Sequence, residues 1–107
     1  MPAAAAPEPV ENKEAFTLDE SRSTAFKNGK QLNLTVIEYS ILKYFIEHPD
    51  VPVSREELLK AVWGYDFNGD TEIVNVNIHR LRHKIEKTPS KPEHLLTEWG
   101  AGYIWKP

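Results

Sequence analysis

Residues 72–87, EIVNVNIHRLRHKIEK, decide the fold of this 107-residue chain. Successive residues of an α-helix rotate by about 100°, so one apolar face collects four residues: Val74, Ile78, Leu81 and Ile85. Asp70 or Thr71 can cap such a helix at its start. Pro89 and Pro92 prevent it from continuing far beyond Lys87. The stretch therefore predicts an amphipathic helix over about 72–87 whose apolar side packs into a core.

The opposite face of this helix has the chemistry of a groove reader. It collects Glu72, Val76, His79, Arg80, His83 and Lys87. Arg80 can donate two hydrogen bonds to guanine, and Asn77 on one flank can pair in the same way with adenine. An exposed Val76 fits a thymine methyl group, and the flanking Arg82 and Lys84 suit phosphates. A solvated, lysine-rich helix surface has the same spacing, so both interpretations stay open.

The charge is distributed unevenly along the chain, although the net charge of −3 is unusual for a nucleic-acid binder. Residues 1–20 contain five acidic side chains and one lysine. Residues 73–92 contain five basic side chains and a single acidic one, Glu86. Basic charge focused on one helix is typical of a surface that binds nucleic acid.

The segments on either side of this helix predict a small α+β domain. Asn28-Gly29 joins two strand-like stretches, 23–27 and 30–34, in an antiparallel sheet over about residues 15–34. Two capping boxes, Thr35-Val36-Ile37-Glu38 and Ser54-Arg55-Glu56-Glu57, start two more helices, which end near Pro49 and Gly64. Val51 and Val53 between them fit one short strand. Gly100 and Gly102 predict the turn of a closing hairpin over about 95–105.

The first 14 residues differ from the rest of the chain. Met1 to Pro9 is rich in proline and alanine, so we expect a disordered tail over 1–14 and one folded domain over 15–107. The chain has no cysteine, which excludes a disulfide framework. No apolar run approaches membrane-spanning length and no signal peptide is evident, so a cytoplasmic protein without membrane contact is expected.

No group of residues has the spacing of a catalytic site, so neither enzyme activity nor a cofactor is expected. His79 and His83 are four residues apart, a spacing that can hold zinc. No glutamate follows His79 as it does in zinc proteases, and no third ligand is evident. The sequence therefore predicts no metal site.

The order of these elements and a set of short motifs resemble the effector domain of OmpR/PhoB-type response regulators. The matching motifs are Leu34-Thr35 with Glu38, Ser54-Arg55-Glu56-Glu57-Leu58-Leu59, Val62-Trp63-Gly64, Val74-Asn75-Val76-Asn77-Ile78, Arg80-Leu81-Arg82, Lys84-Ile85, Thr97 and Gly100-Ala101-Gly102-Tyr103. The resemblance covers about residues 15–105. It implies a winged helix-turn-helix fold with a four-stranded amino-terminal sheet, three helices and a carboxy-terminal hairpin wing. It also implies that the third helix enters the major groove of double-stranded DNA and that the wing reaches the minor groove.

The helix-face argument and the resemblance together give twelve candidate DNA-contacting residues. They are Arg55, Trp63, Ile73, Val76, Asn77, His79, Arg80, Arg82, Lys84, Thr97, Trp99 and Tyr103. By resemblance, Arg55, Trp63 and Arg82 match phosphate-contacting positions. Trp63 fits the edge of the core equally well. Tyr103 fits a packing role within the wing.

The sequence departs from the family pattern in the wing. Trp99 stands where many family members carry arginine, and Glu98 precedes it. The loss of this cation leaves Trp99 as a stacking or apolar substitute in the minor groove, or as a contact to another protein. Two functions stay open: sequence-specific DNA binding in transcription regulation, and a protein-interaction module with weak or no DNA affinity. The basic third helix favours the first.

The resemblance also implies partners. In the family, a linker joins this domain to a phosphorylatable receiver domain, which a sensor kinase controls in a two-component phosphorelay. The loop before the third helix, about residues 64–71, is where family members can contact RNA polymerase. The isolated domain is expected to be a monomer that forms a tandem dimer on repeated DNA half-sites.

Overall fold

The computed structural model describes residues 15–107, and the predicted tail, 1–14, lies outside the described residues. Three strands come first: β1 (Phe16–Asp19), β2 (Thr24–Lys27) and β3 (Lys30–Leu32). Three helices follow: α1 (Val36–Glu47), α2 (Arg55–Leu58), which continues as a π-helical turn (Leu59–Trp63), and α3 (Glu72–Ile85). Strands β4 (Leu95–Glu98) and β5 (Gly102–Trp105) close the domain. Within residues 15–107 no helix is both long and apolar enough to span a bilayer.

The amino-terminal sheet is antiparallel in the order β1-β2-β3. Lys27 pairs with Lys30 around the predicted turn, where Asn28 and Gly29 both adopt positive φ, +53° and +83°. This two-residue turn matches the twist of antiparallel strands, which explains the tight hairpin. The sheet has three strands within residues 15–107, whereas the resemblance implied four.

Both predicted helix starts are present, and they differ in detail. At α1 the Thr35 side chain accepts from the Glu38 N–H, and the Glu38 side chain accepts from the Thr35 N–H, so the capping box is complete. At α2 Ser54 accepts from the Glu57 N–H, but the Glu57 carboxylate accepts from the Tyr44 hydroxyl instead of returning to Ser54. The second capping box is therefore half formed, because α1 offers Glu57 a stronger donor.

Helix α3 begins at a side-chain cap and ends where the backbone becomes extended. The Asp70 carboxylate accepts from the Glu72 N–H at 3.0 Å, in keeping with its predicted capping role, whereas Thr71 makes no capping bond through its side chain. The helix ends at Ile85, two residues before the predicted end, because Glu86 takes an extended conformation. The four predicted core residues of α3 are all fully buried: Val74, Ile78, Leu81 and Ile85.

The closing hairpin is tied to the start of α2. Val53 and Tyr103 exchange two backbone hydrogen bonds of 2.7 and 2.9 Å, so the strand predicted around Val51 and Val53 reduces to a single bridge. A Cβ atom on Gly102 would lie 2.2 Å from the Val53 carbonyl oxygen, and its φ is +122°. Only glycine permits this close approach, which holds the hairpin beside α2.

Candidate nucleic-acid interface

One side of α3 faces solvent with the composition that the sequence predicted. All six expected outer residues are exposed: Glu72, Val76, His79, Arg80, His83 and Lys87. Val76 retains 40% of its surface and is the one large apolar side chain among these six exposed residues. Arg80 and Lys87 have no ion pair or hydrogen bond with another side chain of residues 15–107. They are therefore available to an external anion.

Asn77 was predicted on an accessible flank of this face, and the structure buries it instead. The residue keeps only 8% of its surface, and its amide Nδ2 donates to the Ile73 carbonyl at 2.9 Å. Both α1 and α2 pack against α3, so the buried sector is wider than the four-residue apolar stripe suggested. Ile73 is likewise half-buried and packs against the core.

Arg82 joins α3 to the hairpin. Its Nε donates to the Leu95 carbonyl and its Nη2 donates to Thr97 Oγ1, both at 2.9 Å. The guanidinium also lies 5.5 Å from the centre of the Tyr103 ring. Burial lowers the pKa of Arg82 from its ordinary value, while the neighbouring Tyr103 and Glu86 oppose that effect. The side chain holds the hairpin against the helix, and Thr97 shares that role as the acceptor.

Lys84 joins α3 to the start of α1. Its Nζ lies 2.6 Å from Glu38 Oε1, and Glu38 keeps only 2% of its side-chain surface, against 35% for Lys84. The same Glu38 oxygen also accepts from the Thr35 N–H, so one carboxylate caps α1 and pairs with α3. From the sequence, only a phosphate contact was expected of Lys84.

Glu86 is a structural residue that the sequence analysis missed. It is buried, and its carboxylate accepts three backbone N–H groups, those of Glu93, His94 and Leu95, at 2.7–3.0 Å. These bonds fix the start of β4 to the end of α3. No local sequence signal distinguishes such a carboxylate from a solvated one, because its partners lie beyond an irregular loop.

Tyr103 connects the hairpin to the first turn of α3. Its hydroxyl donates to Asn75 Oδ1 at 2.6 Å. Burial raises the pKa of Tyr103 from its ordinary value, and the nearby Arg82 and Arg55 partly offset this rise. The packing role considered for Tyr103 is therefore present, while its hydroxyl stays near the surface, where the residue is half-buried.

A groove of about 410 Å³ separates the hairpin from α2 and α3. Its lining includes Arg55 and Glu56 of α2, Asn75 of α3 and the hairpin turn from Glu98 to Gly102. Arg55 is exposed and has no ion pair with the described side chains. Trp99 also lines the groove and retains 89% of its surface, the largest exposure among the described large apolar residues. An exposed cation and an exposed indole therefore face one groove.

The end of α2 and the following loop form an aromatic surface. Trp63 is half-buried and packs against the core, with its ring centre 6.2 Å from that of Phe67. Tyr65 is 85% exposed, and Lys60 Nζ lies 5.9 Å from its ring centre. Trp63 thus fills the edge of the core, one of its two predicted roles, while part of its ring stays accessible.

Two helices and a hairpin packed in this way define a class of protein, the winged helix-turn-helix proteins. Helix α3 presents its outer face, α2 packs across it, and the β4–β5 hairpin lies beside both as the wing. Comparison with known proteins agrees. The chain belongs to the family described as "Transcriptional regulatory protein, C terminal", whose model matches residues 29–105.

Individual relatives support the same assignment. A protein of Cyanophora paradoxa named "Probable transcriptional regulator ycf27" is 41% identical over 91 residues, which cover 83% of this chain and 38% of the relative. The crystal structure of response regulator DrrB, a Thermotoga maritima OmpR/PhoB homologue, has a TM-score of 0.77 at 32% identity and covers 86% of this chain and 42% of DrrB. The chain thus spans about two fifths of these relatives.

A third relative is compared as an isolated domain. The Klebsiella pneumoniae RstA DNA-binding domain in complex with the RstA box has a TM-score of 0.76 at 25% identity, covering 90% of this chain and 99% of that one. The OmpR/PhoB resemblance and the α+β winged helix-turn-helix fold predicted from the sequence are confirmed.

Proposed function

We propose that the chain binds double-stranded DNA in a sequence-specific way and regulates transcription as the output domain of a two-component response regulator. The observation that carries this proposal is the outer face of α3, where Val76, His79 and Arg80 are exposed and Arg80 has no internal ion partner. The RstA domain, similar over nearly its whole length, binds the RstA box with the same fold.

Base reading is assigned to the outer face of α3. A B-DNA major groove is about 12 Å wide and admits one α-helix. Arg80 would donate two hydrogen bonds to guanine, Val76 would pack against a thymine methyl group, and His79 would face a neighbouring base edge. Asn77 and Ile73 are assigned a supporting role, because both are turned into the domain.

Phosphate contacts are assigned to exposed residues around this face. Three residues are proposed for this role: Arg55 beside the groove, Lys87 after α3 and the partly exposed Trp63. Neither Arg55 nor Lys87 has an ion pair within residues 15–107. Arg82, Lys84 and Thr97 have internal partners, so their proposed contribution is to fix the orientation of α3 and the wing. Tyr103 combines both roles, since its hydroxyl is held by Asn75 at the edge of the groove.

The wing is proposed to approach the minor groove with Trp99. Residues 95–103 contain no basic side chain. The wing therefore has no cation that a narrow minor groove could attract. Apolar side chains can instead enter the minor groove and partly unstack a base step. The indole of Trp99 is exposed and lines the protein groove between the wing and α2, which suits this role.

Partners of the full-length protein follow from the family. We propose a preceding receiver domain controlled by a sensor kinase, action in the cytoplasm, and contact between the loop of residues 64–71 and RNA polymerase. The exposed Tyr65 and Phe67 on this loop support a protein contact. The isolated domain is proposed to be a monomer that pairs in tandem on repeated half-sites, about 10–10.5 base pairs apart.

Selection of bound sequences from a random duplex pool tests this function. The selected site should bind the wild-type domain at least about 10³-fold more tightly than unrelated duplex. Arg80→Ala should reduce affinity for that site by about 1–3 kcal/mol and relax one base position. Arg22→Ala removes another exposed arginine, which lies between β1 and β2 with its Nε 3.8 Å from the Asp19 carboxylate, and serves as the control. A pool that yields no shared sequence would refute sequence-specific binding.

A further inference from the structure

Four histidines lie in this chain, and two of them differ from the others in their surroundings. His48 Nδ1 lies 2.7 Å from the Tyr44 carbonyl oxygen, and His94 Nδ1 lies 2.9 Å from that of Lys106. His79 and His83 are exposed on successive turns of α3 and have no hydrogen bond or ion pair within residues 15–107. Their ring nitrogens are therefore accessible from solvent.

The two accessible rings lie next to each other. Their centres are 4.6 Å apart and their planes are inclined by 64°. An ion held about 2.0–2.1 Å from one nitrogen of each imidazole lies roughly 3.2 Å from each ring centre. Two such ligands at an angle of about 90–109° at the ion separate the ring centres by roughly 4.5–5.2 Å. The observed separation of 4.6 Å falls in this range, so the two ring centres are already spaced for a shared ion.

We propose that His79 and His83 form a two-nitrogen site for a divalent transition-metal ion that prefers imidazole, with Cu²⁺ bound most strongly and Zn²⁺ less so. The sequence predicted no metal site because a structural zinc site needs more protein ligands; here water completes the coordination. The nearby Arg80 and Lys87 repel any cation. Hard ions such as Mg²⁺ and Ca²⁺ gain too little from imidazole to offset that repulsion, whereas Cu²⁺ stands highest in the usual order of affinities.

The location of this site gives it a consequence for DNA binding, which rests on the proposed function. His79 and His83 lie on the same exposed face as Val76 and Arg80. A hydrated ion on the two rings would occupy the space that the major-groove edges of the bases need. Metal and DNA therefore exclude each other, and by linkage DNA lowers the affinity for metal by the same factor by which metal lowers the affinity for DNA.

Calorimetric titration of the domain with CuCl₂ and with ZnCl₂, without DNA, tests the site alone. We expect one ion per domain, and a loss of at least about tenfold in affinity for His79→Ala and for His83→Ala, because even outer-shell changes at metal ligands cost that much. His48→Gln is the matched control and should bind as the wild type does. Cu²⁺ should also raise the Tm of the wild type and leave that of the double variant His79→Ala/His83→Ala unchanged.

A second measurement tests exclusion. The affinity for the selected duplex is measured at increasing Cu²⁺, with the double variant as the control for copper bound to the DNA itself. The double variant lacks the proposed His79 base contact and starts from a lower affinity, and any fall in its affinity with Cu²⁺ measures copper on the DNA alone. Wild-type affinity should fall by a clearly larger factor than that of the double variant. Unaltered titrations in both single variants would overturn the metal site. Saturated metal binding with unchanged DNA affinity would overturn the exclusion. A domain that binds Cu²⁺ but no DNA would count against the proposed function alone.

Discussion

Lys84→Ala separates the structural role of Lys84 from the phosphate contact that the sequence suggested. The structure pairs Lys84 with Glu38, whose carboxylate is nearly inaccessible to water and also accepts from the Thr35 N–H. Removing the lysine would leave this carboxylate buried with one donor. Breaking a fully buried ion pair costs about 3–5 kcal/mol. Because Lys84 keeps 35% of its side-chain surface, solvent screens the pair, and we expect about 1–3 kcal/mol.

This loss of stability is large enough to measure by thermal unfolding. A domain of this size loses about 4–8 °C in Tm per kcal/mol, so Lys84→Ala should lower the Tm by roughly 5–20 °C. Lys87→Ala, an exposed lysine three residues away without an internal partner, is the control and should change stability by less than about 0.5 kcal/mol. Circular dichroism at 222 nm during heating, checked against urea unfolding, gives both values.

A double-mutant cycle with Glu38→Gln isolates the pair. The neutral amide of this variant can still accept from the Thr35 N–H, so Lys84→Ala should cost less in that background than in the wild type. A coupling energy of about 0.5–3 kcal/mol is expected for groups in contact. The reasoning would be refuted if Lys84→Ala kept the wild-type Tm and weakened binding to every duplex equally. That result would mean that Lys84 contacts phosphate and that Glu38 does not need it.

Three further predictions follow from the same contacts. Arg82→Lys should destabilise the domain by about 1.5–3 kcal/mol in urea unfolding, nearly as much as Arg82→Ala, because an ammonium cannot reproduce two diverging guanidinium bonds; full recovery with lysine would contradict this. The logarithm of DNA affinity should fall with the logarithm of salt concentration with a slope of about −2 to −4, since two to four phosphates are neutralised, and a flat dependence would exclude phosphate contacts. The hydrogen bond to Glu57 raises the pKa of Tyr44 from 10 to about 12, so this bond stabilises the fold fully below pH 10 and is lost as pH rises towards 12. Tyr44→Phe should therefore lose less stability than the wild type between pH 10 and pH 12. An unchanged dependence of unfolding on pH in this variant would contradict the prediction.

Local features of the fold could be predicted from the sequence because they depend on neighbouring residues. Three such features are the turn at Asn28-Gly29, the Thr35 cap and the apolar stripe of α3. In each, successive residues are at most four positions apart in the sequence. Helix periodicity and turn chemistry act over that range. The π-helical continuation of α2 was not predictable in this way, since residues 59–63 carry no glycine or proline that would mark a change in the helix.

The partners of charged side chains could not be predicted, because they are distant in the chain. Lys84 meets Glu38 across 46 positions, and Lys27 donates to the Ile85 carbonyl across 58. A sequence shows that a lysine lies on the flank of a helix, but the packing of α1 and the sheet decides whether a carboxylate lies within its reach. For Asn77 the same lack of tertiary information gave an outward position where the structure has a buried amide.

Two basic residues of α3, Arg82 and Lys84, therefore have structural contacts, whereas Arg80 has no internal ion partner within residues 15–107. Arg82 fixes the wing, Lys84 fixes α1, and Lys27 from the sheet holds the carbonyl at the carboxy-terminal end of the helix. With Glu86, these contacts hold α3 and the wing in one relative orientation, so the protein sets the distance between Trp99 and the outer face of α3 that we propose reads the major groove. A duplex that contacts both α3 and Trp99 must change its shape to fit this distance. The cost of that adaptation depends on the flexibility of the intervening base steps, which adds specificity at positions that no side chain touches.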